Sequence, residues 1–150
     1  MFNSLEIAQV LTAGFGSLGF ALLFNVRRRY LAACALNGAA GWIIYLLSVH
    51  LGANILCASL FSTLWIASYA EILSRMMKTP ANQFLIVGLI PLVPGAPLYR
   101  AMRSFVAENS AEFKNYSDLT VKYVLGIAAG ICLVYSVQSI VHQIAARRKR

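Results

Sequence analysis

Three prolines and a glycine fall within the seven residues Pro91-Leu92-Val93-Pro94-Gly95-Ala96-Pro97, and two cations, Arg100 and Arg103, follow closely. A proline lacks an amide hydrogen and clashes with the carbonyl four residues earlier, so Val87, Ile90 and Val93 are released from any helical ladder. Residues preceding proline are pushed away from helical dihedrals, which predicts extended or irregular backbone at Ile90, Val93 and Ala96. A helix resuming near Leu98 would offer free amides and the positive end of its dipole, with Arg100 and Arg103 in its first two turns. Donors of that kind suit a carboxylate.

A second reading of the same residues is a proline kink for packing alone, with Arg100 and Arg103 snorkelling to a membrane interface. The density of helix breakers in this run favours a functional break. Other chemistry is sparse. Glu71 and Arg75 are four apart, a spacing that suits an ion pair on one helix face and leaves Glu71 as a candidate for ion coupling. Asn25, Asn37 and Asn54 could hydrogen-bond neighbouring helices or a ligand. No HExxH, GxSxG or carboxylate pair lies in the apolar stretches, so no catalytic residues are assigned and an enzyme is not expected. Cys34, Cys57 and Cys132 form no metal-binding spacing with each other or with histidine; they read as small buried hydrophobes, and neither a metal nor a cofactor is expected.

The elements that must position these residues are set by where charge is missing. The chain is 59% hydrophobic and only 12% charged, outside the usual range for a soluble fold. Its charges are clustered, leaving Ile7 to Val26, Tyr30 to Ala70, Thr79 to Tyr99 and Tyr123 to Ala146 without any. Roughly 20 apolar residues in a helix cross the hydrocarbon core, so three of these stretches hold one span each and the second holds two. The second divides at His50-Leu51-Gly52-Ala53-Asn54, where polar atoms and a glycine suit a turn.

The expectation is therefore an all-α membrane protein of about five transmembrane helices. Residues 1–150 form a single integral membrane domain with spans at about 5–26, 31–49, 53–73, 81–106 and 119–146. About ten residues, or roughly 15 Å of helix, separate Ala81 from Pro91, which puts the Pro/Gly-rich break of the fourth span near the bilayer midplane. Irregular backbone at that depth must be buried in protein or line a polar cavity, and transporters hold substrates between such half-helices. The candidate path residues are Pro91, Pro94, Gly95, Tyr99, Arg100 and Arg103, with Asn25.

Cationic flanks set the orientation. With the N-terminus outside, Arg27, Arg28, Arg29, Arg75, Lys78, Arg147, Arg148, Lys149 and Arg150 fall inside, against Arg100, Arg103, Lys114 and Lys122 outside. Treating the fourth stretch as a re-entrant hairpin would put the terminal cluster outside, so a full crossing is expected. The net charge of +8 is thereby accounted for, and no basic face with interleaved aromatics points to nucleic acid. Gly14, Gly16 and Gly19 match a dinucleotide-loop spacing but lie inside a span, and Leu31-Ala32-Ala33-Cys34 follows three arginines rather than the apolar region of a lipoprotein signal. Small residues mark packing faces: Gly126 and Gly130 in the fifth span, and Ala35, Gly38, Ala39 and Gly41 in the second. Trp42, Tyr45 and Trp65 read as packing or interface anchors, and His50 and His142 as interfacial.

Two-thirds of the chain carries a resemblance. Gly19-Phe20-Ala21-Leu22-Leu23-Phe24-Asn25-Val26, Gly38 with Gly41-Trp42 and Tyr45, then Arg75, Lys78, Pro80 and Ile90-Pro91-Leu92-Val93-Pro94-Gly95 with Tyr99 and Met102 resemble the small subunit of the bacterial threonine/serine exporter family. That family also includes members associated with dicarboxylate (succinate) export. Arg27, where the family usually has proline, and the added Pro97 are departures.

The resemblance implies half of a secondary-active exporter in the bacterial inner (plasma) membrane, with the C-terminus cytoplasmic, acting with a larger membrane subunit on a small carboxylate such as threonine, serine or succinate. A non-transporting scaffold or assembly subunit is the alternative.

Overall fold

Asn3 opens the first helix with a capping box: its side chain accepts from backbone amides, while the Glu6 carboxylate accepts from the Asn3 N–H at 2.8 Å. The computed structural model describes residues 3–147. Arg148, Lys149 and Arg150 of the orientation count, and the side chains of His142 and Arg147, lie outside the described residues. Six helices follow in order: α1 (Ser4–Leu23), α2 (Leu31–His50), α3 (Ile55–Met77), α4 (Ala81–Leu89), α5 (Gly95–Val106) and α6 (Ser110–Arg147). Short 3-10 turns at Arg28–Tyr30 and Ile90–Leu92 precede α2 and follow α4, and there is no strand among the described residues.

The protein is all-helical, as expected. By length and apolarity four helices can cross a membrane, and α4 with its 3-10 turn plus α5 make a fifth candidate, bent by 54°.

Four helices end alike, which sets the span limits. Asn25, Gly52, Lys78 and Glu108 all take the left-handed conformation. The next amide then reaches back five residues: Val26 to Ala21 O at 2.9 Å, Ala53 to Ser48 O at 3.0 Å, Thr79 to Ser74 O at 3.2 Å and Asn109 to Ser104 O at 3.0 Å. This is the Schellman closure, in which glycine or asparagine is usual. The turn expected around Gly52 is present. The first span stops at Leu23, three residues short of Val26, because Asn25 closes it. The third runs on to Met77 rather than Leu73.

Packing follows the small residues. On α2, Cys34, Asn37, Gly38, Gly41 and Tyr45 form a buried stripe at helical spacing. A Cβ on Gly38 would overlap the Ser17 side chain of α1, and one on Gly41 would stand 2.7 Å from Ile66 Cγ1 of α3. On α6, Gly126 and Gly130 meet Leu56, Ser59, Leu60 and Thr63 of α3. The tyrosine hydroxyls of Tyr45 and Tyr123 bond α2 to α6, and Trp42 stacks on Tyr45 with centroids 5.1 Å apart. Cys34 is buried as expected, whereas Cys57 and Cys132 are exposed on the outer surface of the bundle.

The fifth expected span is longer than its apolar run. Helix α6 begins at Ser110 instead of near Leu119 and has 38 residues, about 57 Å of helix against a hydrocarbon core of about 30 Å. Its surplus is the polar segment 110–122, and α5 packs there: Phe105 meets Phe113 with centroids 5.5 Å apart.

Candidate functional site

The break falls where the prolines require it, but its details differ from those predicted. Val93 is extended (φ −59°, ψ 125°), whereas Ile90 stays helical (φ −51°, ψ −45°). Pro91 lies in the opening residues of a 3-10 turn, where a missing N–H removes no bond, so the residue before it need not leave the helical region. Ala96 is likewise helical, because α5 resumes at Gly95 rather than near Leu98. Pro97 is then the third residue of α5, inside the first turn whose amides have no helical acceptor in any case.

That earlier start alters the amide donors. Gly95 N–H donates to Val93 O at 2.7 Å, Leu98 N–H donates to Pro94 O at 3.0 Å, and Pro97 has no N–H. At most the Ala96 amide remains to be offered, so this helix start is a poorer anion seat than the sequence suggested. Leu92 and Pro94 are buried, with the 3-10 turn held against α1 and α2. Val93, Gly95, Ala96 and Tyr99 are exposed, with Tyr99 at 69%.

Arg100 and Arg103 stand one turn deeper in α5 than expected and line a polar cleft against α6. It encloses about 340 Å³, with Ser104, Asn109, Glu112 and Tyr116 completing its wall. Arg100 sits 5.6 Å from the Tyr116 ring centroid and donates to its hydroxyl at 3.5 Å. Ser104 donates to Glu112 at 3.2 Å, and the Asn109 side chain accepts from the Glu112 N–H at 3.3 Å. Cation and carboxylate thus share one cleft, able to engage a ligand carrying both charges. Tyr116 and Glu112 had no motif to announce them; the antiparallel register of α5 on α6 brings them in.

Asn25 is not part of this cluster. It is exposed and closes α1 with φ 54°, leading into Tyr30. Tyr30 packs on Phe84 in the first turn of α4 with centroids 5.7 Å apart, whereas the break follows the last turn of α4.

Glu71 pairs with Arg75 at 3.4 Å, as the spacing predicted. With the Gln138 amide of α6 turned so that its nitrogen faces the carboxylate, the assignment that satisfies both groups, it donates to Glu71 at 3.0 and 3.2 Å. Gln138 lies two turns beyond Gly130 and so on the α3-facing side of α6, a signal that periodicity could have supplied.

Asn37 is the largest of the buried polar residues at the centre of the bundle. It is fully buried, and its amide donates to Phe84 O at 3.3 Å and Ile66 O at 3.4 Å, tying α2 to α4 and α3. Gly88 lets α4 approach it, since a Cβ there would lie 2.6 Å from the Asn37 nitrogen.

A helical bundle with four or five membrane-crossing candidates and small residues at its contacts has the architecture of a polytopic membrane protein. The chain belongs to the threonine/serine exporter (ThrE) family, whose sequence model matches residues 9–137. It is also 30% identical over 132 residues to an uncharacterized protein of Haemophilus influenzae, a match covering 83% of this chain and 44% of that protein. The chain therefore spans less than half the length of that relative. No solved structure matches.

Proposed function

We propose that this chain is one component of a secondary-active exporter of small carboxylate metabolites, of the threonine/serine type or dicarboxylates such as succinate. It works with a larger membrane companion in the bacterial inner membrane, with the N-terminus outside and the C-terminus cytoplasmic. The observation that carries this reading is the interrupted helix at Pro91–Pro94, which leads directly into the Arg100/Arg103 cleft. Family membership supplies the transport class. The share of the Haemophilus protein left unmatched supports a companion.

The first test is efflux of labelled threonine, serine and succinate from cells expressing this chain alone and with the companion. Companion-dependent efflux of one of them is expected. No efflux in either condition, with both proteins shown in the membrane, would favour the scaffold reading, which is also consistent with the side chain of Arg100 packing on Tyr116.

Removing a charge-assisted hydrogen bond costs about 1.5–3 kcal/mol, so Arg100→Ala and Arg103→Ala are each expected to cut export roughly tenfold or more at unchanged membrane levels. Unchanged rates in both would remove the cleft from the path. In a background free of Cys34, Cys57 and Cys132, single cysteines at Gly95, Ala96 and Tyr99 are expected to react with an aqueous thiol reagent. If none reacts, with or without the companion, the break is a packing kink.

A further inference from the structure

We infer that the groove between α3 and α6 is the seat of a helix from the companion. This inference rests on the companion reading above. The groove encloses about 570 Å³. Its walls include Ile72, Leu133, Val137 and Val141, while Ser68, Gln138 and the Glu71–Arg75 ion pair bring polar atoms into it. Ionisable and amide side chains within spans face protein or a water-filled cavity, not acyl chains.

Glu71 lies six residues before α3 ends, about 9 Å, and Gln138 nine residues before the end of α6, about 14 Å. Gln138 therefore lies inside the charge-free stretch 123–146 and Glu71 at the edge of the one that ends at Ala70, and both are only half-buried where they line this groove. The groove between α1 and α2 is the contrast: Val10, Leu11, Phe15, Leu18 and Leu36 line it with nothing more polar than backbone, a surface that lipid chains can fill.

The length of the relative points to the occupant. The Haemophilus relative carries more than half its length beyond the match. A helix of that remainder, on the same or a separate polypeptide, would bring serine, threonine, asparagine or glutamine to the Glu71–Gln138 pair and small residues to the walls. Interhelical hydrogen bonding and close contact are what join helices in lipid.

A photo-crosslinking residue placed singly at Ile72, Val137, Leu11 or Leu36 tests this in membranes that also contain a tagged companion homologous to the unmatched part of the relative. Adducts to the companion are expected from Ile72 and Val137 and not from Leu11 or Leu36. Val137→Trp, which fills the groove, is expected to lower co-purification of the companion at least fivefold while this chain keeps its own level and thermal stability. Adducts from Leu11 and Leu36 alone, adducts joining two copies of this chain, or co-purification without adducts from the groove would each overturn the docking surface and leave the companion reading standing. Neither adducts nor co-purification would overturn both.

Discussion

Leucine in place of Gly126 or Gly130 is expected to separate α6 from α3 and remove most of the folded protein from the membrane. A Cβ on Gly126 would lie 2.5 Å from Leu56 O and 3.2 Å from Leu60 N, and one on Gly130 2.7 Å from Thr63 Cβ and 3.2 Å from Leu60 O. All four of those atoms belong to the backbone or to Cβ of a helix interior, which cannot rotate aside. Overpacking of this kind costs about 1–3 kcal/mol per site, and leucine adds three carbons beyond the Cβ that already collides. Close contact also carries more of the association where lipid replaces water as solvent. Gly16→Ala and Gly19→Ala are the controls, because nothing stands within 4 Å of a Cβ at either position. They are expected to be neutral or slightly stabilising, alanine being the better helix former. Thermal unfolding in detergent followed by size-exclusion fluorescence separates the two classes. Equal stability of the Gly126, Gly130, Gly16 and Gly19 variants would mean that the α3–α6 contact is not the close one described.

The glycine contacts also show what the sequence could convey. Charge-free stretches and the three prolines were sufficient to indicate the candidate spans and the interruption of the fourth. Small residues at helical spacing identified the faces of α2 and α6 that pack closely. What escaped was set by local closures with no glycine to mark them. Lys78 adopts the left-handed conformation that sequence would assign to glycine or asparagine, so the end of α3 could not be read from residue type, whereas α5 ends at Val106 as expected.

The start of α5 was obscured for a related reason. Pro97 reads as a breaker in isolation, yet in the first helical turn it gives up no bond. The length of α6 was hidden by the polar composition of residues 110–122, which suits a loop until α5 is laid against it. Tyr116 and Glu112 are brought to their partners by tertiary register, which no local pattern encodes.

The alignment of α4 depends on its buried contact with Asn37, and a paired substitution should expose it. Gly88→Ala places a Cβ 2.6 Å from Asn37 Nδ2 and 2.9 Å from Ile66 Cγ2. Asn37 cannot swing away without giving up its bonds to Phe84 O and Ile66 O, since its side chain has no exposed surface to turn toward. The added methyl must therefore push α4 outward and tilt the segment that leads through Leu92 and Pro94 to the Arg100/Arg103 cleft. Export is expected to fall on the order of tenfold, because displacements near 1 Å in a positioned site have effects of that size or greater.

Asn37→Ala alone loses the tie but leaves Gly88 free, and a smaller loss is expected. The double variant should transport better than Gly88→Ala alone, since the shortened side chain vacates the space that the methyl needs and Ile66 Cγ2 can give by a rotamer adjustment. Such positive coupling is the mark of direct contact, and a double-mutant cycle on export rate measures it. If the two effects simply add, α4 is not held through Asn37, and the direction of the broken span must be set by the burial of Leu92 and Pro94 against α1 and α2 instead.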